Sequence, residues 1–437
     1  MIPLSFNYTG PSRVTSDRDR TRLGLSADAR RPVRFTARVV RHVLSLRLAL
    51  QTFGTVLWSS DIWFRAGGVP MPEVAFDPLV TVHPDRLFFE AFSRDQSAYA
   101  LLVADRQLFE PEDDVLCGTT NCYFDAWLSS ALNDLRSSRE AWLCIGSDQG
   151  TSDTIDEVGH LERRVEVPDE WVRGFLQLQE AMALPGTRVT ARPVDLLAAI
   201  RFLQLNRSNA APRALRYEFE PDQPARLVLE PWEQVIPLKG TEHNYQEKRV
   251  IRTWGRRRLQ LLEPLLPYAE RVDVYLKGRA RPSFYAVRLP GVTFLLGLTG
   301  WTDQTWTGAG GADNLGDEGA SLLSAALDHL RDAVTLRPES LAESLGVGKD
   351  VAVRLLTRLC RQGRVHYDIE NFTFRNREVF AEPVDESRVF PPSPQQERAR
   401  KLLQEGTVRI EECGPRETCK VRKYRSPRGG VTEKTVV

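Results

Sequence analysis

Lysine and methionine are scarce in this 437-residue chain, with eight lysines among 59 basic residues and three methionines in all. The other 51 basic residues are arginine, whose planar fork suits bidentate phosphate and carboxylate contacts. Because methionine is depleted together with lysine, the skew reads first as a GC-rich coding bias. Excess charge of one sign is also missing, the formal net charge being +1. That excludes a whole-chain field for nucleic acid or an acidic membrane and leaves such binding to a local patch. The six cysteines (Cys117, Cys122, Cys144, Cys360, Cys413 and Cys419) are scattered and form no Cys-x-x-Cys pair, and the ordinary apolar content argues against a disulfide scaffold. No apolar run can span a bilayer: the longest, Leu44 to Trp58, is interrupted by Arg47, Gln51 and Gly54. No charged-then-apolar leader opens the chain. The expectation is a reduced, cytoplasmic setting with no membrane.

What is present is an ordinary globular composition, 42% apolar and 27% charged. Its length exceeds one compact core, so several folding units are expected. Leu4 to Tyr8 reads as a strand, followed by a polar, arginine-dotted loop through Arg31. Pro32 to Val40 alternates apolar and polar residues, the period of a half-buried strand. Val43 to Trp58, Phe124 to Leu135, Asp169 to Ala183 and Pro193 to Leu205 read as helices. Residues 1–210 are therefore taken as an N-terminal α+β region.

A central α+β domain is expected over 211–316. Ala214 to Phe219 and Ala225 to Leu229 pair across a Pro-Asp-Gln-Pro turn. Arg249 to Leu266 reads as a helix. Three strands follow at Val272 to Leu276, Ser283 to Leu289 and Val292 to Leu298, the last two joined by Pro290-Gly291.

Residues 317–380 change texture. Helices are predicted at Ala320 to Val334, Pro338 to Leu345 and Lys349 to Gln362, then a hairpin from Arg364 to Asp368 and Phe372 to Arg375. Three helices and a β-ribbon make the winged helix-turn-helix pattern. The fold class is thus α+β and multi-domain, with mixed antiparallel sheets, helices and a winged helix. On the third helix Arg354, Arg358 and Arg361 fall within about 60° of one another on a helical wheel. Val353, Leu355, Leu356, Leu359 and Cys360 fall opposite. Such a helix could lie in a major groove. A charged outer face is equally ordinary solvated surface, and Glu339 and Glu343 on the preceding helix would repel phosphates. Arg354, Arg358 and Arg361 are the candidate contacts for nucleic acid or a protein partner.

Residues 381–437 begin with a Pro391-Pro392-Ser393-Pro394 linker. A helix from Gln395 to Glu405 and strands at Thr407 to Glu412, Thr418 to Tyr424 and Val431 to Val437 are expected next. The last strand ends with nothing after it to cover its edge, so the chain reads as truncated. Several segments resemble bacterial SWIM zinc-finger proteins: Trp254 to Leu259, Val272 to Gly278, Pro282 to Tyr285, Leu296 to Thr302 with the Trp306 echo, and Leu341 to Gly346. The stretch Gly118 to Asn121 belongs to the same resemblance, which covers most of the chain. That family holds one zinc ion with a Cys-x-Cys pair followed by Cys-x-His. Here five residues separate Cys413 from Cys419, no histidine follows His366, and four ligands cannot be assembled. Zinc is therefore implied by the family but not by this chain. The resemblance implies an interaction role beside a MoxR-type AAA ATPase and a von Willebrand A-domain protein.

Other motifs carry less. His83-Pro84-Asp85 spells a J-domain loop without its flanking helices and is taken as coincidence. Gly308 to Gly311 with Gly316 lacks the residues of a phosphate cradle and reads as a mobile loop. Cys117 and Cys122 read as buried structural thiols, and Glu110, Glu112, Asp113 and Asp114 as a solvent-facing loop. Trp301 and Trp306 could stack on a base or anchor a partner helix, against core packing as the plainer role. No Ser/His/Asp or Cys/His set forms from spacing. The leading expectation is a non-enzymatic adaptor acting with an AAA ATPase. A DNA binder using the winged helix is the alternative, and an enzyme is a third class for which no constellation is found.

Overall fold

A computed structural model describes residues 2–59, 76–147, 161–208, 210–239, 243–278, 281–299, 306, 319–380, 386–390, 398, 401, 408–413, 419–423 and 432–436. The helices are α1 (Val43–Trp58), α2 (Ala126–Ala131), α3 (Asp169–Ala183), α4 (Pro193–Leu205), α5 (Gly319–Asp332), α6 (Pro338–Leu345), α7 (Lys349–Arg361) and α8 (Glu386–Val389). The strands in the first 200 residues are β1 (Ile2–Tyr8), β2 (Arg13–Ser16), β3 (Arg20–Ser26), β4 (Phe35–Val39), β5 (Leu79–Val82), β6 (Arg86–Phe92), β7 (Ala98–Asp105), β8 (Phe109–Pro111), β9 (Gly118–Asn121), β10 (Glu140–Gly146), β11 (Leu161–Val167) and β12 (Thr187–Ala191). Those that follow are β13 (Leu215–Phe219), β14 (Arg226–Leu229), β15 (Gln234–Pro237), β16 (Arg249–Thr253), β17 (Arg271–Leu276), β18 (Ser283–Leu289), β19 (Val292–Leu298), β20 (Val365–Asp368), β21 (Thr373–Asn376), β22 (Val408–Cys413), β23 (Cys419–Lys423) and β24 (Thr432–Val436). The fold is α+β.

The chain divides into two units, Met1–Pro383 and Val384–Val437. The centre of the first is an antiparallel sheet of eight strands in the order β12-β17-β18-β19-β7-β6-β5-β9. The boundary expected at 210 runs through this sheet: β19 pairs with β7, Val292 opposite Ala104 and Leu298 opposite Ala98. Strands 200 residues apart in sequence therefore share one hydrogen-bonded layer, which no local pattern encodes. The helix α1 packs on β6, β7 and β19 through Leu46, Leu50, Phe53 and Leu57. A Cβ on Gly54 would sit 2.1 Å from Ser129 Oγ, so glycine permits the close approach of α1 and α2.

A five-stranded sheet, β2-β3-β10-β4-β8, flanks this core. Its β2 and β3 occupy what reads in sequence as a polar loop. Arginines alternate there with Leu23, Leu25 and small residues, and the buried face is supplied by sheet neighbours rather than by local hydrophobicity. The β10–β3 pair is parallel. In the four-stranded sheet β15-β14-β13-β16, Leu215, Tyr217 and Phe219 turn inward while Arg216 and Glu218 lie between them. The helix expected over Arg249 to Leu266 is instead β16 followed by short 3₁₀ turns at Arg256–Leu262 and Leu266–Tyr268. Gly255, at φ 76°, breaks the run in a conformation that a helix interior does not allow.

Residues 319–380 carry three helices and a ribbon in the order predicted for a winged helix. Leu336, between α5 and α6, exchanges two 2.8 Å backbone bonds with Phe374 of β21. Pro338 opens α6 at its first turn, where its missing N–H costs nothing. Gly346, at φ 64°, closes it and turns the chain into α7.

The second unit contains α8 and an antiparallel meander, β22-β23-β24. Its three strands match those expected from sequence. Cys413 and Cys419 are register partners across β22 and β23. The Pro391–Pro394 linker lies outside the described residues, as does most of the helix expected from Gln395.

Candidate recognition helix and its buried docking interface

The amphipathic pattern of α7 places its apolar face as the wheel predicts, with Ala352, Leu355, Leu356, Leu359 and Cys360 buried. Val353 departs from that expectation, being 39% exposed. The arginine stripe is divided. Arg354 is exposed and Arg358 is half-buried. Arg361 turns toward α3, where its Nε and Nη2 bond Glu180 Oε2 and Oε1 at 3.0 and 2.8 Å. Both side chains of that bidentate pair are more than four-fifths buried. Arg361 is thus a structural brace and no longer one of three equivalent surface cations. The reason lies in α3, whose Glu180 is brought within reach by packing that the local sequence of α7 does not contain. Nearby, Lys349 bridges to Glu339 at 2.6 Å. The Lys349 ammonium, with backbone hydrogen bonding, holds the Glu339 carboxyl below its ordinary range.

The ribbon that would serve as a wing is buried. All four residues of β20 are inaccessible, as are Thr373, Phe374 and Arg375 of β21. It lies over β6 and α3 through charges that sequence spacing does not connect. Glu90 of β6 and Arg377, each 1% exposed, meet at 2.5 Å. The same Glu90 oxygen accepts the Tyr99 hydroxyl at 2.6 Å, and Gln179 of α3 lies at 3.5 Å. His366 Nδ1 stands 3.7 Å away, an ionic rather than a hydrogen-bonding distance. Burial pushes the Glu90 carboxyl up, but Arg377, His366 and the Tyr99 hydroxyl outweigh it and hold it well below the usual carboxylate range. Gln179 completes the join by accepting the Tyr367 backbone N–H at 2.8 Å.

A second cluster sits at the hairpin turn between β5 and β6. Asp368 accepts from Arg375 at 3.2 Å, Arg86 at 3.3 Å and Asn371 at 2.9 Å. Asp85 bonds Arg375 at 2.9 Å and Arg86 at 3.0 Å. His83 Nε2 lies 3.0 Å from the Asn376 carbonyl, so this nitrogen carries the proton. Burial depresses the His83 pKa. His83-Pro84-Asp85 is therefore the tight turn between β5 and β6, and it anchors the ribbon. Arg31 also donates to the Val379 and Glu378 carbonyls, and burial brings its pKa down to about 10.

Trp306 does not present itself to a partner. It is fully buried, stacked on Phe92 at 5.3 Å, and its Nε1 donates to the Gln96 carbonyl at 3.2 Å. Core packing thus accounts for it. Trp301 and the glycine-rich 308–316 segment lie outside the described residues. Cys122 is buried as expected, whereas Cys117 is exposed. No group of three His, Cys, Asp or Glu side chains among the described residues could hold a metal. Cys413 and Cys419 supply two positions where a closed zinc site needs four, so the donor set does not fit the ion that the resemblance implies.

Sequence reasoning missed Glu90, Arg377, Glu180 and Asp368. One signal was available: Glu90 is a lone acid within the apolar run Leu87 to Phe92, and a buried acid requires a partner. Nothing local identifies that partner as Arg377, 287 residues away.

No protein-family model matches the chain, and no curated protein matches it. Among solved structures, it is similar to a proliferating cellular nuclear antigen from Entamoeba histolytica, at 10% identity and TM-score 0.38, over 61% of this chain and 98% of that one. It is also similar to the PCNA2–PCNA3 complex from Sulfolobus tokodaii, at 11% identity and TM-score 0.37, over 62% of this chain and 100% of that one. Likeness at this level carries no argument about function.

Proposed function

We propose that the chain is a non-catalytic recognition subunit that engages another protein, with the outer face of α6 and α7 as one contact surface. One observation carries this reading: the ribbon and Arg361 are consumed in docking to β6 and α3, which leaves an outer face of mixed character. Exposed Glu339, Glu343, Asp350, Val353 and Arg354 share it. Mixed signs beside an exposed aliphatic suit a protein rim better than a phosphate backbone. The resemblance to SWIM zinc-finger proteins supports a MoxR-type AAA ATPase and a von Willebrand A-domain protein as partners. Four cysteines without disulfides (Cys117, Cys122, Cys144 and Cys360) support a reducing, cytoplasmic setting. Among the described residues, no helix is long and apolar enough to cross a membrane.

DNA binding is the second reading, favoured by Arg354 and Arg358. A salt titration with random duplex separates the two. Two phosphate contacts give a log–log slope of about −1.8, and three give about −2.7. Protein recognition expects negligible duplex affinity, unaltered by R354A/R358A. Steep binding that flattens in the variant establishes the DNA reading instead. Retention of the ATPase on the tagged chain, lost in V353D/R354E, is the positive result expected. Turnover in a broad hydrolase screen would refute the non-catalytic assignment.

A further inference from the structure

One end of the five-stranded sheet gathers Arg18, Arg38 and Arg139, of which only Arg38 is held in an ion pair among the described residues. Here β3 and β10 begin side by side, Arg20 opposite Glu140, and β4 ends with Val39 opposite Ala141. The three strand ends border an open cleft of about 500 Å³, within the range of small-ligand sites. Arg18, Arg38, Arg139, Ser137 and Ser138 line it, together with Asp19 and Glu140.

Arg18 and Arg139 sit on exposed turns that lead into β3 and β10, and backbone hydrogen bonds brace those turns. Asp17 Oδ1 accepts the N–H groups of Asp19 and Arg20 at 2.9 and 2.7 Å, bracing the β2–β3 turn that carries Arg18. The Glu140 N–H donates to the Asp19 carbonyl at 2.9 Å, tying that turn to the start of β10 just after Arg139. Arg38 is fixed on β4 by Glu110 at 2.5 Å.

Charge accounting shows what is left over. Glu140 is taken by Arg20 at 3.2 Å and lies 3.8 Å from Arg38. Arg18 and Arg139 form no salt bridge among the described residues, although Arg139 helps to hold the Asp17 carboxyl low, after that group's backbone hydrogen bonds.

We propose that this cleft receives one phosphoryl group, held by the guanidinium groups of Arg18 and Arg139 with the hydroxyls of Ser137 and Ser138 as further donors. Guanidinium forks bind phosphate bidentately, and such charge-assisted bonds are the strong ones. The acids at the rim decide the source. Asp19 and Glu140 would repel a run of phosphates but tolerate a single one, which favours a phosphorylated side chain of a partner protein over a nucleic-acid backbone. This assignment of the source rests on the protein-recognition reading above; the phosphoryl site itself does not.

Calorimetry on the intact chain tests both levels, with inorganic phosphate, a phosphoserine peptide, its unphosphorylated form and duplex DNA as probes. The expected result is phosphate binding that R18Q/R139Q weakens at least about tenfold, the factor that one of the two lost charge-assisted bonds would give alone, with thermal unfolding unchanged. The phosphopeptide should bind more tightly than free phosphate, and the unphosphorylated peptide should not bind. Absent phosphate binding, or equal binding by R18Q/R139Q, overturns the site. A phosphopeptide no tighter than free phosphate overturns the partner assignment alone. Duplex displacing phosphate from the wild type but not from the variant overturns it in favour of nucleic acid.

Discussion

Replacing Arg377 by methionine removes the counter-ion of a carboxylate that is 1% exposed. Glu90 would keep the Tyr99 hydroxyl, the distant Gln179 amide and the His366 ring, of which only His366 can carry positive charge, and that at 3.7 Å. Breaking a buried ion pair from one side costs about 3–5 kcal/mol, because the remaining charge stays desolvated. That is a large part of the roughly 5–15 kcal/mol that ordinarily holds a domain folded. The pair joins β6 to the segment after β21, so the loss should appear first as release of the ribbon. Urea denaturation would show a lower midpoint, and hydrogen exchange would show early opening of 365–376 while β7 and β19 stay protected. The double variant E90Q/R377M should recover most of the loss, since glutamine still accepts from Tyr99 and no buried charge is left over. A single variant costing less than about 1 kcal/mol, with unchanged exchange in β20 and β21, would refute the claim that these charges hold the ribbon down.

Burial raises the Asp77 carboxyl from 3.8 to about 6, against Arg163 and the Tyr8 hydroxyl. A raised folded-state pKa gives stability that is present below about 3.8 and lost as pH rises through about 6. D77N should therefore remove the decline of stability between pH 4 and 6 in thermal melts, whereas Glu90, held low, acts in the opposite sense and loses its contribution below its unfolded value near 4.5. Gly363 has φ 71°, and a Cβ there would stand 3.1 Å from Leu176 Cδ2 and 3.2 Å from Val379 Cβ. G363A should destabilise by more than about 1 kcal/mol in denaturant titration, and a neutral outcome would count against the left-handed end of α7. Register partners on antiparallel strands have Cα atoms about 4.5–5.5 Å apart, inside the span that a disulfide bridges. Mild diamide should therefore link Cys413 to Cys419 in peptide maps of the oxidised full chain; formation of only intermolecular dimers would contradict the β22–β23 register.

Helix boundaries were legible almost to the residue at Val43–Trp58, Asp169–Ala183, Pro193–Leu205 and Pro338–Leu345. Their signals are local: apolar spacing at helical period, proline at a first turn, glycine or a polar run at the end. The Pro290-Gly291 hairpin and the meander of the second unit were legible for the same reason. The arginine-bearing strands β2 and β3 were not, because a strand's buried face is defined by its sheet neighbours. Nor was the strand at Arg249–Thr253, whose apolar spacing mimics a helix until Gly255 interrupts it.

The sequence by itself determined most of the helices, with Arg249 to Leu266 the exception, and the apolar face of Lys349–Arg361. Only tertiary packing decided three things: Glu180 claims Arg361, Glu90 claims Arg377, and the β7–β19 pairing fuses two expected domains into one sheet. The physical reason is one of range. Helix propensity and turn chemistry act over a few residues, whereas a buried charge must be neutralised by whatever partner the whole fold brings within about 4 Å of it.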